Sequence, residues 1–486
     1  MFKLLNNNDF FCWHGCWNNW ICSAWKGAYL VIPRITAMRS TACYRTALSL
    51  AILLAGPAFA DSDDEGFIDG TQIHVLNRNF FFSQDYRNGD FTLNPNKGER
   101  QSLHREWGHG IIANLQSGFT RGTVGFGVDV QALVGLKLDG GNGAVGNGVG
   151  VPGIVSRSGS NFDGEPKDSY GKVGAALKVR AFDTELRYGD VSPTSPVLHA
   201  SDIRLLPQTL RGFIFNNNSL DGLSLQGGKL ESSSDRNASN HRGDLGTVYA
   251  GRIKGANDVV YLGGDYLFND QLTLRLHSSR LDDVWNQSFF SVDHVQPLGS
   301  ELSLKTGLNY YRTRDSGQAL AGQIDNDSWS VHAGVAAGAH GFKLSYTRID
   351  GDTPFDYVWN TYDLQLDAAS QVSDFNNPNE RAWEARYDYD FATLGVPGLS
   401  LTARYVRGTD IDGTRAGGAY SYFNGTEDGR HWERNLWLKY VLQSGPAKDL
   451  SFNLMQATHR VGGDHVAESN VDELRLIVQY PLDISL

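Results

Sequence analysis

The sequence predicts an all-β fold: a transmembrane antiparallel β-barrel of 18 strands, with short turns at one end and long loops at the other. Three observations predict it. Long runs alternate apolar and polar residues with the period of a half-exposed strand. Eight short turn signals separate these runs in pairs. After residue 60 no apolar run approaches the roughly 18 residues of a membrane helix, although 11% of the chain is aromatic.

The alternation is clearest from Val124 to Leu138. There Val124, Phe126, Val128, Val130, Ala132, Val134, Leu136 and Leu138 occupy every second position. The residues between, Gly125, Gly127, Asp129, Gln131, Leu133, Gly135 and Lys137, are mostly small or polar. The same pattern runs through Trp383–Phe391, Leu399–Val406 and Leu474–Leu482. A strand this long is unusual for a sandwich but suits a tilted membrane strand with an extension beyond the bilayer.

The turn signals fall near Ser117–Gly122, Phe182–Glu185, Asn218–Gly222, Phe268–Gln271, Pro297–Ser300, Gly338–Gly341, Leu394–Gly398 and Ser444–Asp449. Each draws on Gly, Pro, Asn, Asp or Ser, the residues that turn geometry favours. Between neighbouring turns lie two strand-like runs and a longer polar loop. Eight turns join sixteen strands, and one further strand lies at each end, which makes 18. Both termini then fall on the short-turn, periplasmic side. A closed barrel satisfies every backbone polar group, the condition for surviving in lipid.

Residues 38–60 read as a secretory signal. Arg39 and Arg45 precede the apolar run Ala47–Ala55, and Ala58-Phe59-Ala60 is a small-x-small cleavage site. Met38 is then the expected start. Residues 1–37 are expected to be an upstream extension, and Asp61 the first residue of the mature barrel, 61–486. Cleavage removes all four cysteines (Cys12, Cys16, Cys22, Cys43). It thereby excludes a disulfide framework, a Cys-ligated metal and a Cys nucleophile. It also removes five of 43 basic and one of 54 acidic residues, leaving a net charge near −15. That charge argues against nucleic acid as a partner. It leaves anionic solutes open, because selectivity follows the few charges at the narrowest point.

The third long loop, about Gly189–Thr209, is GDVSPTSPVLHASDIRLLPQT. Its Pro193, Pro196, Val197 and the pair Leu205-Leu206 have little use in water. The loop is therefore expected to fold into the lumen as a constriction, with Ser201, Asp202 and Arg204 on it. The seventh loop, about Asp350–Asn379, is a second candidate for narrowing the pore.

Across 61–486 the chain resembles the OprD family, the outer-membrane carboxylate channels. The resemblance rests on several segments in order: Leu76–Phe80 with Asp85–Arg87; Gly125–Asp139; Leu186–Pro207; Ala385–Asp388; Ala403–Gly408; Lys439–Phe452; and Arg475–Leu482. It implies a monomeric 18-strand porin that admits small carboxylate-bearing solutes, organic acids or amino acids, along a ladder of basic residues. Its further partners would be outer-membrane lipid, lipopolysaccharide and the outer-membrane assembly machinery. One departure is the last residue, Leu486, where such proteins usually end in an aromatic; Tyr480 is the expected substitute.

Apolar neighbours face lipid, so the complementary positions face the lumen. On this test Lys178, Arg180, Arg187, Arg275, Lys305, Arg386, Arg404, Lys439 and Arg475 point inward, with Arg78. Charge on the lipid face near the midplane costs roughly 2–4 kcal/mol. Arg78, Arg187, Arg204, Arg386 and Arg404 also lie in the family segments, and with Arg180 they are the leading candidates for the solute path. Lys178, Arg275, Lys305 and Lys439 are weaker candidates, and Arg475 is expected near the periplasmic end. Inward Asp129, Glu185, Glu384, Asp388 and Glu473 could instead pair with these bases in a neutral wall. The alternatives are a general diffusion porin, a structural or adhesive barrel, and a hydrolase using His199, Ser201 and Asp202. No P-loop, Rossmann glycine pattern or H-E-x-x-H occurs, so neither a cofactor nor a metal is expected.

Overall fold

The computed structural model describes residues 66–93, 99–139, 167–241, 243–251, 253–359, 361–362 and 364–485. The extension 1–37, the signal segment 38–60 and the cleavage site lie outside them. Among the described residues, 18 long strands form one closed antiparallel sheet. They are β1 (Gln72–Tyr86), β2 (Leu103–Gln116), β3 (Val124–Asp139), β4 (Ser169–Ala181), β5 (Thr184–Val191) and β6 (Thr209–Leu220). Next come β7 (Leu223–Ser234), β8 (Val259–Asn269), β9 (Leu272–Leu281), β10 (Trp285–Pro297), β11 (Leu302–Asp315) and β12 (Asp325–Ala337). The last six are β13 (His340–Asp350), β14 (Arg381–Asp390), β15 (Leu399–Ile411), β16 (Gly429–Val441), β17 (Ser451–Gly462) and β18 (Val471–Ser485).

Each strand pairs with the next, and β1 closes the sheet by pairing with β18 from Gln72↔Ser485 to Tyr86↔Val471. The eight turns read from the sequence are the eight connections at one end of the barrel, from the one between β2 and β3 to the one between β16 and β17; at the other end one connection, 282–284 between β9 and β10, is short as well. A one-residue slip would turn every lipid-facing side chain inward, so the alternation itself pins the register.

The outward face is apolar and exposed, as with Leu177, Tyr188, Leu262, Leu344 and Trp383. Two aromatic groups mark its ends. Trp329–Tyr346 and Tyr346–Trp383 pack at 5.5 and 4.6 Å toward the long-loop end. Phe342–Tyr387 packs at 5.0 Å and His340–Tyr389 at 4.9 Å toward the short turns. Amphipathic rings at both levels are what a bilayer's two interfaces select.

The inward face is polar and covered by two long loops. The third loop, between β5 and β6, contains a short hairpin, Thr194–Ser195 with Leu198–His199. It touches widely separated strands. Arg78 of β1 grips Asp202, Ser195 Oγ lies 3.1 Å from His277 Nδ1 of β9, and Tyr311 Oη of β11 donates to the Pro196 carbonyl at 2.9 Å. Gly110 of β2 is needed for this packing, since a Cβ there would meet the Leu205 carbonyl at 2.8 Å. The seventh loop, between β13 and β14, lies against the third. Ala200 bridges Thr361, and Tyr362 N donates to the His199 carbonyl at 2.7 Å.

This topology gives a test of sidedness. An epitope inserted between residues 140 and 161, after β3, should bind antibody on intact cells. One inserted at Gly445–Ala447, between β16 and β17, should bind only after the outer membrane is breached. The reverse labelling would overturn the orientation.

Candidate functional site

Three groups of basic side chains occupy the lumen side. The first lies on β3–β5. Lys178 is buried and pairs with Asp129 at 2.7 Å. Its neighbour across the ladder is Arg187, which contacts both Asp129, at 3.4 Å, and Glu185. Arg180 stacks its guanidinium over the Phe119 ring at 4.5 Å, a cation–π arrangement.

The second group is a row across β13–β15. Lys343, Arg386 and Arg404 sit opposite one another in register. Arg386 forks onto Asp388 at 2.8 and 2.9 Å. Lys343 bridges Asp367 and Glu384 at 3.0 and 3.1 Å. Arg404 is buried: it donates to the carbonyls of Ala369 and Asp367, both at 2.6 Å, and to Glu384 at 2.7 Å. It therefore fastens the seventh loop to the wall. Lys343 carried no weight in the sequence reading, although its position between Phe342 and Leu344 satisfies the same alternation.

The third group lies where the two inward loops meet β1 and β18. Arg78 is fully buried. It holds Asp202 with two hydrogen bonds, 2.6 and 2.9 Å, and also donates to the Arg204 carbonyl at 2.7 Å. Such a forked, charge-assisted pair is among the stronger side-chain contacts. Arg204 itself donates to the Ile203 carbonyl at 3.0 Å, while its Nε has no hydrogen-bond partner. Arg204 and Arg475 both lie 5.8 Å from the centre of the Phe82 ring. Arg236 is close enough for its charge to act on Arg204. It is carried inward after β7: Lys172 Nζ donates to the Ser234 and Asp235 carbonyls at 3.1 and 3.0 Å, and Tyr170 Oη to that of Arg236 at 3.2 Å.

Arg475 corrects the sequence reading. The expectation set it near the periplasmic end, but it pairs with Phe82 and is the fifth residue of a strand that descends from Val471 to Ser485. It belongs to the long-loop half, where it donates to the Gln371 carbonyl at 2.9 Å and pairs with Glu473 at 2.6 Å. Alternation assigns a face but carries no height. Height follows from strand direction and from where the last strand begins.

The remaining candidates are spread round the wall. Arg275 pairs with Asp293 and lies 3.3 Å from Ser291 Oγ. Lys305 is half-buried on β11, and Lys439 is half-buried on β16. On the third loop Pro193, Val197 and Ser201 are buried, with Pro196, Asp202 and Arg204 half-buried. His199, Ser201 and Asp202 lie within four successive loop positions; Ser201 N donates to Gln208 Oε1, and Asp202 accepts from Arg78.

A closed barrel with an apolar girdle outside, and a charged interior crossed by pinned loops, is a membrane channel of the porin class. The chain belongs to the OprD family: the family model described as an outer membrane porin of that family matches residues 65–484. Porin D of Pseudomonas aeruginosa is 39% identical over 458 residues, covering 90% of this chain and 98% of that protein. Among solved structures, Pseudomonas aeruginosa OccK9 (OpdG) aligns with a TM-score of 0.76 at 35% identity, covering 86% of this chain and 100% of that one. Pseudomonas aeruginosa OpdK solved with vanillate aligns with a TM-score of 0.74 at 33% identity, with the same coverage. The chain is thus an outer-membrane porin, and its relatives are non-enzymatic transport channels.

Proposed function

We propose that this porin admits small carboxylate-bearing solutes, guided by lumen arginines. The observation that carries the reading is Arg204. It sits on a loop that reaches across the lumen, and its Nε has no hydrogen-bond partner. It also shares the Phe82 ring with Arg475, and Arg236 lies nearby. Two positive charges at one aromatic ring, with a third close to Arg204, suit a solute with a carboxylate and an apolar body. The vanillate of the OpdK structure has that chemistry.

Below and beside this group, Arg180, Arg187 and Arg386 supply further sites. Each is tempered by an acid or a ring, so that an anion is passed on without a deep trap. Arg78 and Arg404 act differently: they hold the third and seventh loops, and so set the width of the passage. The channel works as a monomer, because both loops are anchored within one barrel.

The test is uptake by liposomes containing the purified protein. A panel of radiolabelled aromatic and aliphatic carboxylates and a basic amino acid is compared with the corresponding uncharged amides. Carboxylates should enter several-fold faster than amides of equal size. Equal entry would make the protein a general diffusion porin.

A further inference from the structure

Away from the solute path, three histidines and a glutamate converge near the long-loop rim. His431 is the third residue of β16, His459 lies near the end of β17, and His465 and Glu468 are on the connection from β17 to β18. The three imidazoles have side-chain exposures of 0%, 1% and 0%. His431 Nδ1 lies 3.0 Å from His459 Nε2 and 2.9 Å from Glu468 Oε2. His459 Nε2 lies 3.0 Å from the same carboxylate oxygen, and His465 Nε2 lies 3.9 Å from it. Four ligands set tetrahedrally about 2.0–2.1 Å from a zinc ion are separated by about 3.3 Å. The contacts among His431, His459 and Glu468 already approach that spacing, and His465 Nε2 lies somewhat farther out.

The outer nitrogens fix the protonation. His459 Nδ1 faces the Ser469 carbonyl at 2.8 Å, and a carbonyl can only accept, so that nitrogen carries the hydrogen. His431 Nε2 faces the Glu380 carboxylate at 2.6 Å and donates to it. In the neutral rings, His431 Nδ1 and His459 Nε2 are then lone pairs aimed at each other and at a carboxylate. Three acceptors at this separation require a positive species between them.

A proton on His431 would meet that need but would leave His465 unexplained. Its ring is enclosed, and neither of its nitrogens has a hydrogen-bond partner. Burying such a group unsatisfied costs about 1–3 kcal/mol. A metal ion meets both demands, with His465 Nε2 as the fourth donor. We propose that His431, His459, His465 and Glu468 bind one divalent transition-metal ion of the zinc class. Imidazole with a single carboxylate suits zinc, copper, nickel or cobalt, whereas calcium and magnesium require a shell of oxygens. Glu380 and the Ser469 carbonyl supply the outer hydrogen bonds that orient metal-binding histidines.

The site also has a structural reach. Glu468 accepts from Ser373 Oγ at 2.8 Å and from Asn377 Nδ2 at 3.3 Å, both on the seventh loop. Phe375 of the same loop packs on His431 at 4.1 Å between ring centres. Occupancy therefore ties the rim connection and the inward seventh loop to β16 and β17, steadying one wall of the passage.

The experiment uses the mature protein in detergent, stripped with a chelator and titrated with Co2+, Zn2+ and Ca2+. One Co2+ per chain should bind with the intense visible absorption of a tetrahedral centre. Zn2+ should displace it, and Ca2+ should not. His465→Asn, a loop substitution, should weaken Co2+ binding at least tenfold while the barrel still forms. Zn2+ should raise the thermal midpoint of the parent protein but not of this variant, because an ion that binds only the folded state stabilises it by mass action. His459→Gln provides a second variant with the same expected loss. No stoichiometric binding, equal binding by the variants, or displacement by Ca2+ would overturn the site and leave a cluster that holds protons alone.

Discussion

Replacing Arg78 with Met is expected to release the third loop and produce a wider, noisier channel. Arg78 is fully buried on β1 and holds both oxygens of Asp202 together with the Arg204 carbonyl. Removing one partner of a buried ion pair typically costs about 3–5 kcal/mol, because the other charge is left without compensation. That cost exceeds the roughly 1 kcal/mol net worth of an individual neutral hydrogen bond holding the loop elsewhere. The loop should give way before the barrel does, since the strand pairings are made by the main chain. Single-channel conductance should rise, open-state noise should increase, and preference for anions should fall. The barrel's resistance to unfolding in cold detergent should persist. Arg78→Lys should be intermediate, because an ammonium keeps the charge but loses the fork. Unaltered conductance in Arg78→Met would show that the loop is held by its apolar contacts alone.

The second large effect is expected at Arg204. Arg204→Gln keeps a polar side chain of similar reach and removes the charge. Carboxylate flux should fall about tenfold, equivalent to about 1.4 kcal/mol. Flux of the matching amide should stay within about twofold. Raising salt from 0.1 to 1 M shortens the screening length from about 10 to about 3 Å. The preference of the unmodified channel for carboxylates should narrow accordingly, and the variant should hardly respond. An equal loss for carboxylate and amide would mean that Arg204 shapes the passage without reading charge.

The barrel was legible because its determinants are local. The stretch from Val124 to Leu138 states its own period and its own faces, and a turn such as Pro297–Ser300 states its own boundary. Loop contacts are not local. Arg78 meets Asp202 across 124 positions, and Arg475 reaches Gln371 across 104. Nothing in either segment announces the other. The proline-rich, apolar composition of residues 189–209 carried a signal for the third loop. The seventh loop, with its buried Leu364, Leu366 and Phe375, gave a weaker one. Arg236 escaped notice because it lies outside any alternating run. The histidine cluster escaped because two of its members belong to separate strands. Only His465 and Glu468 are close enough in sequence to suggest a pair, and such a pair matches no familiar metal spacing.

The pairing of β1 with β18 has a consequence for the order of events during assembly. Arg78, which holds the third loop, and Arg475, which holds the seventh, lie on the two strands that form this seam. Those strands are the first and last of the barrel, nearly the whole chain apart. Contacts of such separation form late, since the intervening chain must already be arranged. Until the seam zips, the third loop lacks the grip of Arg78 and the seventh that of Arg475, leaving the seventh held to its own wall by Arg404 alone among these arginines. A half-built sheet thus has an open, unfiltered middle, and the filter arrives in the same step that completes the wall. Selectivity is in this sense a certificate of finished folding: a barrel that sieves has closed.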